Sequence, residues 1–283
     1  MGRFVGGVFG NTIGSDTNLG STTGVFSSTD QYYLRAEGNW IIGPGEEEAN
    51  PAASAKAIYD FGTRTNGVYW LKHGGNAAYQ TWCWLDSDSG GGYHLVAKIA
   101  SNNPSEWHYT GGNWTTSSEI TASNLQNLND NNGVNNGFYN YTLQTGFRMC
   151  LHSSAVSVPS NYLIEGKTGN SPQHFFTTSD GSSQNSRADY KGWISGAGSG
   201  FDNGFNSNFD SCQANCNQYR FYQDTGHGEA RWGGFGNNEN DCNSVDSSIG
   251  FGCDSYAGNM ASGGNASHCG SYVRGAIGYI FVQ

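Results

Sequence analysis

Charged residues are scarce in this chain: Asp, Glu, Lys and Arg together make up 13% of its 283 residues. Long helices need Ala, Leu, Glu and Lys in runs with a period of about 3.6 residues, and few such runs occur. Glycine occurs 43 times, and aromatic residues make up 14%. Because each aromatic side chain removes a large apolar area from water, Tyr, Phe and Trp must supply most of the core. The composition predicts a mostly β protein with short helices and long loops, of the α+β class.

Basic residues are too few for a nucleic-acid partner. There are 13 Lys and Arg residues against 23 Asp and Glu residues, a formal net charge of −10, whereas phosphate binding needs a basic surface. No run of about 18 apolar residues occurs, so no membrane span is predicted. The Gly-x-Ser-x-Gly, His-Glu-x-x-His and P-loop motifs are also missing. These absences argue for a binding or structural protein and against an enzyme.

One pair of carboxylates, Asp86 and Asp88, has the composition of a glycosidase site. The pair lies on a Gly-rich turn, however, where a solvated or Ca2+-binding turn is the favoured interpretation. A polysaccharide depolymerase is therefore kept only as the enzymatic alternative.

The most polar stretch of the chain is residues 237–246. Ten residues supply three carboxylates, four carboxamides and one cysteine. Ca2+ takes roughly six to eight oxygen ligands from carboxylates, Asn side chains and main-chain carbonyls. The segment is therefore either a polar surface turn or a loop wrapped around a hard cation.

Seven cysteines are concentrated toward the last third of the chain. This arrangement is typical of a disulfide framework outside a reducing cytoplasm, and the odd number leaves at least one thiol free or intermolecular. The spacing Cys212-x-x-x-Cys216 predicts a local disulfide. With His227 it also suits a zinc site, although no fourth ligand is evident. The disulfide candidates are Cys83, Cys150, Cys212, Cys216, Cys242, Cys253 and Cys269.

Residues 1–45 are predicted to be an extended segment, followed by one globular domain over residues 46–283. Its first 30 residues are rich in Gly, Ser, Thr and Asn and cannot form a core alone, and its N-terminus lacks the apolar stretch of a signal peptide. It contains Gly24-Val25-Phe26-Ser27, Gln31-Tyr32, Arg35 and Gly38-Asn39-Trp40. This pattern resembles a short element near the ends of tailed-phage virion proteins, notably marine and cyanobacterial ones. The resemblance implies docking onto other virion proteins; the alternative is a disordered tail.

Three strand-like segments joined by Gly-rich turns lie near the start of the predicted domain. They are Gly67-Val68-Tyr69-Trp70, Tyr79-Gln80-Thr81-Trp82-Cys83-Trp84-Leu85-Asp86 and Gly90-Gly91-Gly92-Tyr93. Their order resembles the opening of a fibrinogen-like domain, which intelectins share, although Trp84 and Tyr93 replace an Asp and a Trp of the family form. The resemblance implies a fibrinogen-like fold. Since the family's earlier cysteine is missing, Cys83 either pairs downstream, with Cys150 as the candidate, or stays reduced.

The segment Asn237-Asn238-Glu239-Asn240-Asp241-Cys242 looks like the intelectin loop that holds Ca2+, where the diols of a sugar complete the coordination of the ion. Asn in place of the family's first His keeps an oxygen donor, which suits Ca2+. Asn237, Glu239 and Asn240 match the ligand positions of that loop, and Asp241 lies beside them as a further candidate ligand. Asp246 or Asp254 would stand in for the remaining acidic ligands. The glycan-binding candidates are Trp232, Tyr256 and His268.

Together these expectations predict a virion-associated adhesin, part of a tail or capsid fibre, that binds host surface polysaccharide with Ca2+. Fibres of this class are usually trimeric, so a homotrimer is expected, located in the virion and extracellular after lysis. The first alternative is a structural decoration or capping protein of the virion whose Ca2+ is structural. The second is a secreted Ca2+-dependent lectin.

Overall fold

The computed structural model describes residues 43–86, 91–178, 185–196, 215–216, 218–224, 228–256, 258–266 and 272–283. The predicted docking segment, residues 1–45, lies outside this set except for its last three residues. Five side chains that the sequence singled out also lie outside the described residues: Asp88, Cys212, His227, His268 and Cys269.

Two antiparallel sheets make up the described part of the chain, which confirms the mostly β class. The first sheet has seven strands in the order β1-β2-β3-β12-β5-β6, with β4 pairing with β3 off this path, and the second has the order β11-β10-β9-β8-β7. The first sheet contains β1 (Gly67–Leu71), β2 (Tyr79–Trp84), β3 (Tyr93–Ile99), β4 (Gly133–Val134), β5 (Phe147–His152), β6 (Tyr162–Glu165) and β12 (Ile277–Val282). The second contains β7 (Tyr219–Asp224), β8 (Glu229–Gly236), β9 (Ser247–Asp254), β10 (Met260–Ala266) and β11 (Tyr272–Gly275).

The described helices are short. They are α1 (Ala55–Phe61), α2 (Gly137–Asn140), α3 (Pro172–Thr177) and α4 (Arg187–Gly196), with 3₁₀ helices at Ser105–Trp107, Gly112–Thr115 and Ala122–Gln126. Helix α1 begins after Ser54, whose hydroxyl accepts a hydrogen bond from Ala57 N, and ends at Gly62 with a left-handed φ of 115°, the usual signals for both ends. No helix in the described ranges is long and apolar enough to cross a membrane.

Strand β12 lies in the middle of the first sheet. It pairs with β3 on one side and with β5 on the other, and all six of its residues are buried. Gln283, which follows it, donates from Nε2 to the carbonyl of Gly91 and from its main-chain N to the carbonyl of Gly146. The first sheet is therefore continuous only when β12, which is distant in sequence from β3 and β5, has paired with both of them. Such contacts between distant parts of the chain are slow to form.

Aromatic side chains fill the interior between the sheets, as the composition predicted. The largest group packs around Trp232, whose ring centroid lies 5.2 Å from that of Tyr190, 5.1 Å from Trp193 and 5.4 Å from Phe251. Trp232 Nε1 donates to Glu165 Oε1 at 3.0 Å, so its polar atom is also satisfied inside the protein. The Trp232 ring is therefore part of the core.

A buried cation fastens the segment after residue 120 to the first sheet. Lys98 on β3 donates from Nζ to Asn124 O at 2.6 Å, Asn127 O at 2.9 Å and Asn127 Oδ1 at 3.1 Å. Burial lowers the pKa of Lys98 to about 8, while the carboxylate of Asp130 acts in the opposite direction. Three acceptors compensate the burial of one charge.

Candidate functional site

The segment predicted to hold Ca2+ is the β8–β9 loop, residues 237–246. The two strands stay paired as far as Gly236 and Ser247, so these ten residues are the whole connection between them. Val245, the only aliphatic residue of the loop, is buried in a small cluster with Ala230, Phe235, Cys253 and Met260. One apolar side chain thus fastens an otherwise polar connection to the protein.

A disulfide ties the β8–β9 loop to the chain before β7. Cys216 and Cys242 are bonded, with Cα atoms 5.0 Å apart. Beside them, Asn215 and Asn237 exchange two main-chain hydrogen bonds of 2.9 and 3.2 Å. Asn215 Nδ2 also donates to Asn238 O at 2.9 Å. The base of the loop is therefore held by one covalent bond and three hydrogen bonds.

The predicted local disulfide between Cys212 and Cys216 is wrong, because the partner of Cys216 is Cys242. Cys150 and Cys253 are free buried thiols, so their prediction as disulfide cysteines is wrong, and Cys83 is also a free buried thiol, which is the alternative in which it stays reduced. Strands β3 and β12 separate Cys83 on β2 from Cys150 on β5. Three strand spacings amount to about 14 Å, whereas a disulfide needs Cα atoms within about 7 Å. Burial raises the pKa of each of these thiols.

Mapping the thiols tests this pairing. In unfolded but unreduced protein, iodoacetamide should modify Cys83, Cys150 and Cys253 and leave Cys216 and Cys242 unmodified, as peptide mass spectrometry would show. Replacing both bonded cysteines by serine should lower the free energy of unfolding by about 3 kcal/mol, because the bridge no longer restricts the unfolded chain. Alkylation of Cys242, or a peptide that links Cys212 to Cys216, would contradict the assignment.

The six predicted metal ligands do not form one cluster. Glu239, Asn240 and Asp241 are exposed on the β8–β9 loop, whereas Asn237 and Asp246 are buried at its base, 0% and 2% exposed. Asp254 lies outside the loop, at the end of β9. Among the residues that the structure describes, no group of three or more His, Cys, Asp or Glu side chains is arranged to hold a metal ion. The predicted set of carboxylates is therefore not assembled around one point.

Asn237 is the predicted ligand whose surroundings fit a cation. Its Nδ2 donates to Asp241 O at 3.0 Å, Asp241 Oδ1 at 3.2 Å and Ser244 Oγ at 3.3 Å. Its Oδ1 is buried without a hydrogen-bond partner, which costs about 1–3 kcal/mol. Ca2+ takes such oxygens as ligands, and Asp246 offers a carboxylate at the same end of the loop. These two residues, with main-chain carbonyls, would hold the ion, which would supply positive charge that keeps the loop closed.

Asp254 belongs to a different group, a row of carboxylates across three strands. Asp224 on β7 lies opposite Glu229 on β8, and Glu229 lies opposite Asp254 on β9. Burial is the main cause that raises the pKa of Glu229, and the carboxylates of Asp224 and Asp254 raise it further. Burial also raises the pKa of Asp254, against the effects of a hydrogen bond from Ser255 and of His108. Like charges directly opposite each other are destabilising.

The structure places the predicted glycan-binding residues in different environments. The prediction for Trp232 is wrong, because the ring is 0% exposed and packs inside the aromatic core. Tyr256 is 64% exposed, and its main-chain N donates to Val245 O at 3.1 Å, so it lies beside the β8–β9 loop. His268 lies outside the described ranges. One aromatic ring of the predicted sugar platform is therefore available next to the loop.

No protein-family model matches this chain, and no curated protein matches it. The resemblances to fibrinogen-like domains and to phage virion proteins stay predictions.

A second feature, which sequence reasoning missed, is an open cleft beside α2 with a volume of about 510 Å³. Its lining comes from three segments: the turn before β2, residues 117–119, and helix α2 with the residue before it. The segments are some 20 to 60 positions apart in the sequence, so no local motif connects them. The sequence signal that these segments share is a local density of Asn, Ser and aromatic residues.

Proposed function

We propose that this protein is a virion-associated adhesin, part of a tail or capsid fibre, that recognises host surface glycan through the β8–β9 loop stabilised by Ca2+. The construction of the loop is the observation that supports this most. Glu239, Asn240 and Asp241 are exposed on a base closed by the Cys216–Cys242 disulfide. An oxygen-rich turn held in this way is preorganised for the hydroxyl groups of a sugar, because its ordering cost is incurred on folding and not on binding.

The proposal extends to features that rest on the sequence resemblances alone. These are a fibrinogen- and intelectin-like fold for residues 46–283, docking of residues 1–45 onto other virion proteins, a homotrimer, and a location in the virion. The protein acts in this proposal as a binding module and not as an enzyme.

A purely structural virion protein is the second candidate. The burial of Trp232 favours it, because the larger ring of the predicted sugar platform is inside the core. In that case Ca2+ at the base of the β8–β9 loop would stabilise the fold without contacting a ligand. A glycan array read in Ca2+ and again in chelator separates the two functions. The adhesin should bind a subset of glycans in Ca2+ only, and Asp241→Ala should weaken that binding, whereas the structural protein should bind none.

Ca2+ is expected to raise the melting temperature, and a chelator should reverse the change. An ion that binds only the folded state stabilises it by about 2.7 kcal/mol at 100 times its dissociation constant. Asp246→Asn, which removes one charge with little change of shape, should abolish most of the Ca2+ effect in differential scanning calorimetry. Asp254→Asn is the matched control and should retain it.

Equal melting temperatures in Ca2+ and in chelator for the unmodified protein would overturn the metal site. Loss of the Ca2+ effect in Asp254→Asn alone would place the ion at the row of carboxylates and not at the loop.

A further inference from the structure

We propose that the cleft beside α2, here the α2 cleft, is a binding site for a neutral saccharide unit. The inference rests on the proposed recognition of glycan but assigns it to residues other than the β8–β9 loop. The volume of about 510 Å³ is within the range of roughly 300–1,000 Å³ that small-molecule sites occupy. The residues that matter for the argument are Asn76, Ser118, Glu119, Asn136, Tyr139 and Asn140.

Main-chain contacts fix two walls of the α2 cleft against each other. Ile120 and Val134 exchange main-chain hydrogen bonds of 3.0 and 2.8 Å, which lays residues 117–119 beside the start of α2. The main-chain N of Asn136 donates to Glu119 Oε1 at 3.2 Å. The carboxylate and the carboxamide are therefore held close together before any ligand arrives.

Helix α2 forms the third side and packs directly on the first sheet. A Cβ atom at Gly137 would come within 2.7 Å of Tyr79 Oη and 3.0 Å of Val96 Cγ1, so glycine allows an approach that other residues would prevent. The α2 cleft is built on secondary structure, and a preformed site loses less free energy to ordering when a ligand binds.

Asn136 supplies the observation that points to a ligand. The residue is 9% exposed, and its Oδ1 is buried without a hydrogen-bond partner in the protein. Buried polar atoms in native proteins are nearly always hydrogen-bonded, because an unsatisfied one costs about 1–3 kcal/mol. Asn136 lines the α2 cleft, and a half-turn of its amide group would bring this buried oxygen to the surface of the cleft, where a hydroxyl group of a ligand would donate to it.

The lining selects a ligand that donates hydrogen bonds and carries no negative charge. Glu119 provides a carboxylate, which only accepts when ionised, and none of the residues that line the cleft is a Lys or an Arg. Tyr139 lines the cleft and is half-buried, with part of its side chain packed against the core, so the part that stays exposed would contact the C–H groups of a pyranose. Asn76 and Asn140 add amide groups at the rim. This combination fits the hydroxyl groups of a neutral sugar and disfavours phosphate, sulfate and acidic sugars.

Chemical-shift mapping on the full chain tests the site. Glucose, galactose, mannose and N-acetylglucosamine, each titrated to high millimolar concentration, would be the probes, with N-acetylneuraminic acid as the anionic comparison. At least one neutral sugar should shift amide resonances of residues 76–79, 117–119 and 136–140. The acid should shift them at least tenfold less at equal concentration. The titrations are repeated in chelator, where a site without metal should bind unchanged.

Two variants separate a binding role from a structural role. Asn136→Leu keeps the size of the side chain and removes the unsatisfied oxygen, so it should weaken sugar binding at least tenfold without lowering the melting temperature. Glu119→Gln removes the charge from an exposed side chain and should weaken binding about threefold or more. Glu106→Gln is the matched control, because Glu106 is also exposed but does not line the cleft, and it should leave binding unchanged.

Each outcome of these titrations either supports or overturns the saccharide site. Shifts confined to the α2 cleft that persist in chelator support this inference even if the Ca2+-dependent loop fails its own test. No shift with any of the four neutral sugars, shifts only around residues 237–246, equal binding of the acidic sugar, or the same shifts from Ca2+ alone would each overturn it. A lower melting temperature in Asn136→Leu with unchanged sugar binding would assign Asn136 a structural role and overturn it too.

Discussion

Replacing Trp232 by alanine should lower the free energy of unfolding by about 3–5 kcal/mol, the range for removing a large buried aromatic ring. The ring is 0% exposed and contacts Tyr190, Trp193 and Phe251 with centroids 5.1 to 5.4 Å away. The loss would also remove the donor to Glu165 Oε1. Because a domain is stable by only about 5–15 kcal/mol, the variant should unfold at a much lower urea concentration.

The matched control is Tyr256→Ala. Tyr256 was predicted for the same glycan platform, but it is 64% exposed, and substitutions at such positions change stability by only about 0.5 kcal/mol. Urea unfolding monitored by circular dichroism measures both variants. If Trp232 bound glycan at the surface instead, Trp232→Ala would keep its stability and lose sugar binding, and that result would contradict the aromatic core described here.

Lowering the pH from about 7 to about 4 is expected to remove about 3 kcal/mol of stability through His73 alone, a figure that follows from about 1.4 kcal/mol for each pKa unit. Burial lowers the pKa of His73 from 6.5 to about 4. Its Nδ1 donates to Ala53 O at 3.0 Å, and its Nε2 accepts the hydroxyl hydrogen of Tyr79. A proton on Nε2 would displace that hydrogen bond.

His94 adds to the effect in the same direction. Its ring centroid lies 5.2 Å from that of His73, and neither of its ring nitrogens has a hydrogen-bond partner. Burial holds the pKa of His94 well below its ordinary value, and the proximity of His73 lowers it further. Cys83, Tyr79 and Tyr141 pack around the pair, so protonation would place a charge in an apolar and aromatic environment.

The direction of the pH dependence follows from proton binding. Between about pH 6.5 and pH 4 the unfolded chain takes up protons on both histidines, while the folded protein excludes them. Stability is therefore complete above about pH 6.5 and falls as the pH drops toward 4. Urea unfolding at a series of pH values measures the slope.

One variant separates the contribution of His94 from that of the carboxylates. His94→Phe, which removes two unsatisfied nitrogens, should flatten the slope and leave stability at pH 7 unchanged or higher. An unchanged slope in His94→Phe would show that His94 does not sense the acid.

Local sequence signals located many of the elements. The strand-like segments joined by Gly-rich turns predicted strands at 67–70 and 79–86, close to β1 and β2, and the third segment, residues 90–93, ends where β3 begins. The Ser54 cap and Gly62, which delimit the short helix α1, are local signals of the same kind. Such signals work because strand periodicity, turn chemistry and helix caps each depend on residues only a few positions apart.

The candidate sites depended on tertiary structure to a greater degree. The composition of residues 237–246 located a polar loop. Which strands become neighbours then decides the cysteine pairing, the burial of Asn237 and Asp246, and the position of Asp254 in the row of carboxylates instead of the loop. The α2 cleft depends on the same choice, since its three segments meet only after β2, β4 and α2 have packed together. Pairing partners are set by contacts over long sequence separations, which no local pattern specifies.

By itself, then, the sequence determined the mostly β class, an aromatic core and the position of the most polar loop. The tertiary structure decided which residues face the solvent. Trp232 and Tyr256 have similar amphipathic side chains, yet the fold buries one and exposes the other. The physical reason is that burial is a property of the assembled sheets: insertion of β12 between β3 and β5 and the packing of α4 near Trp232 create the interior. The identity of a side chain sets only how much free energy its burial contributes.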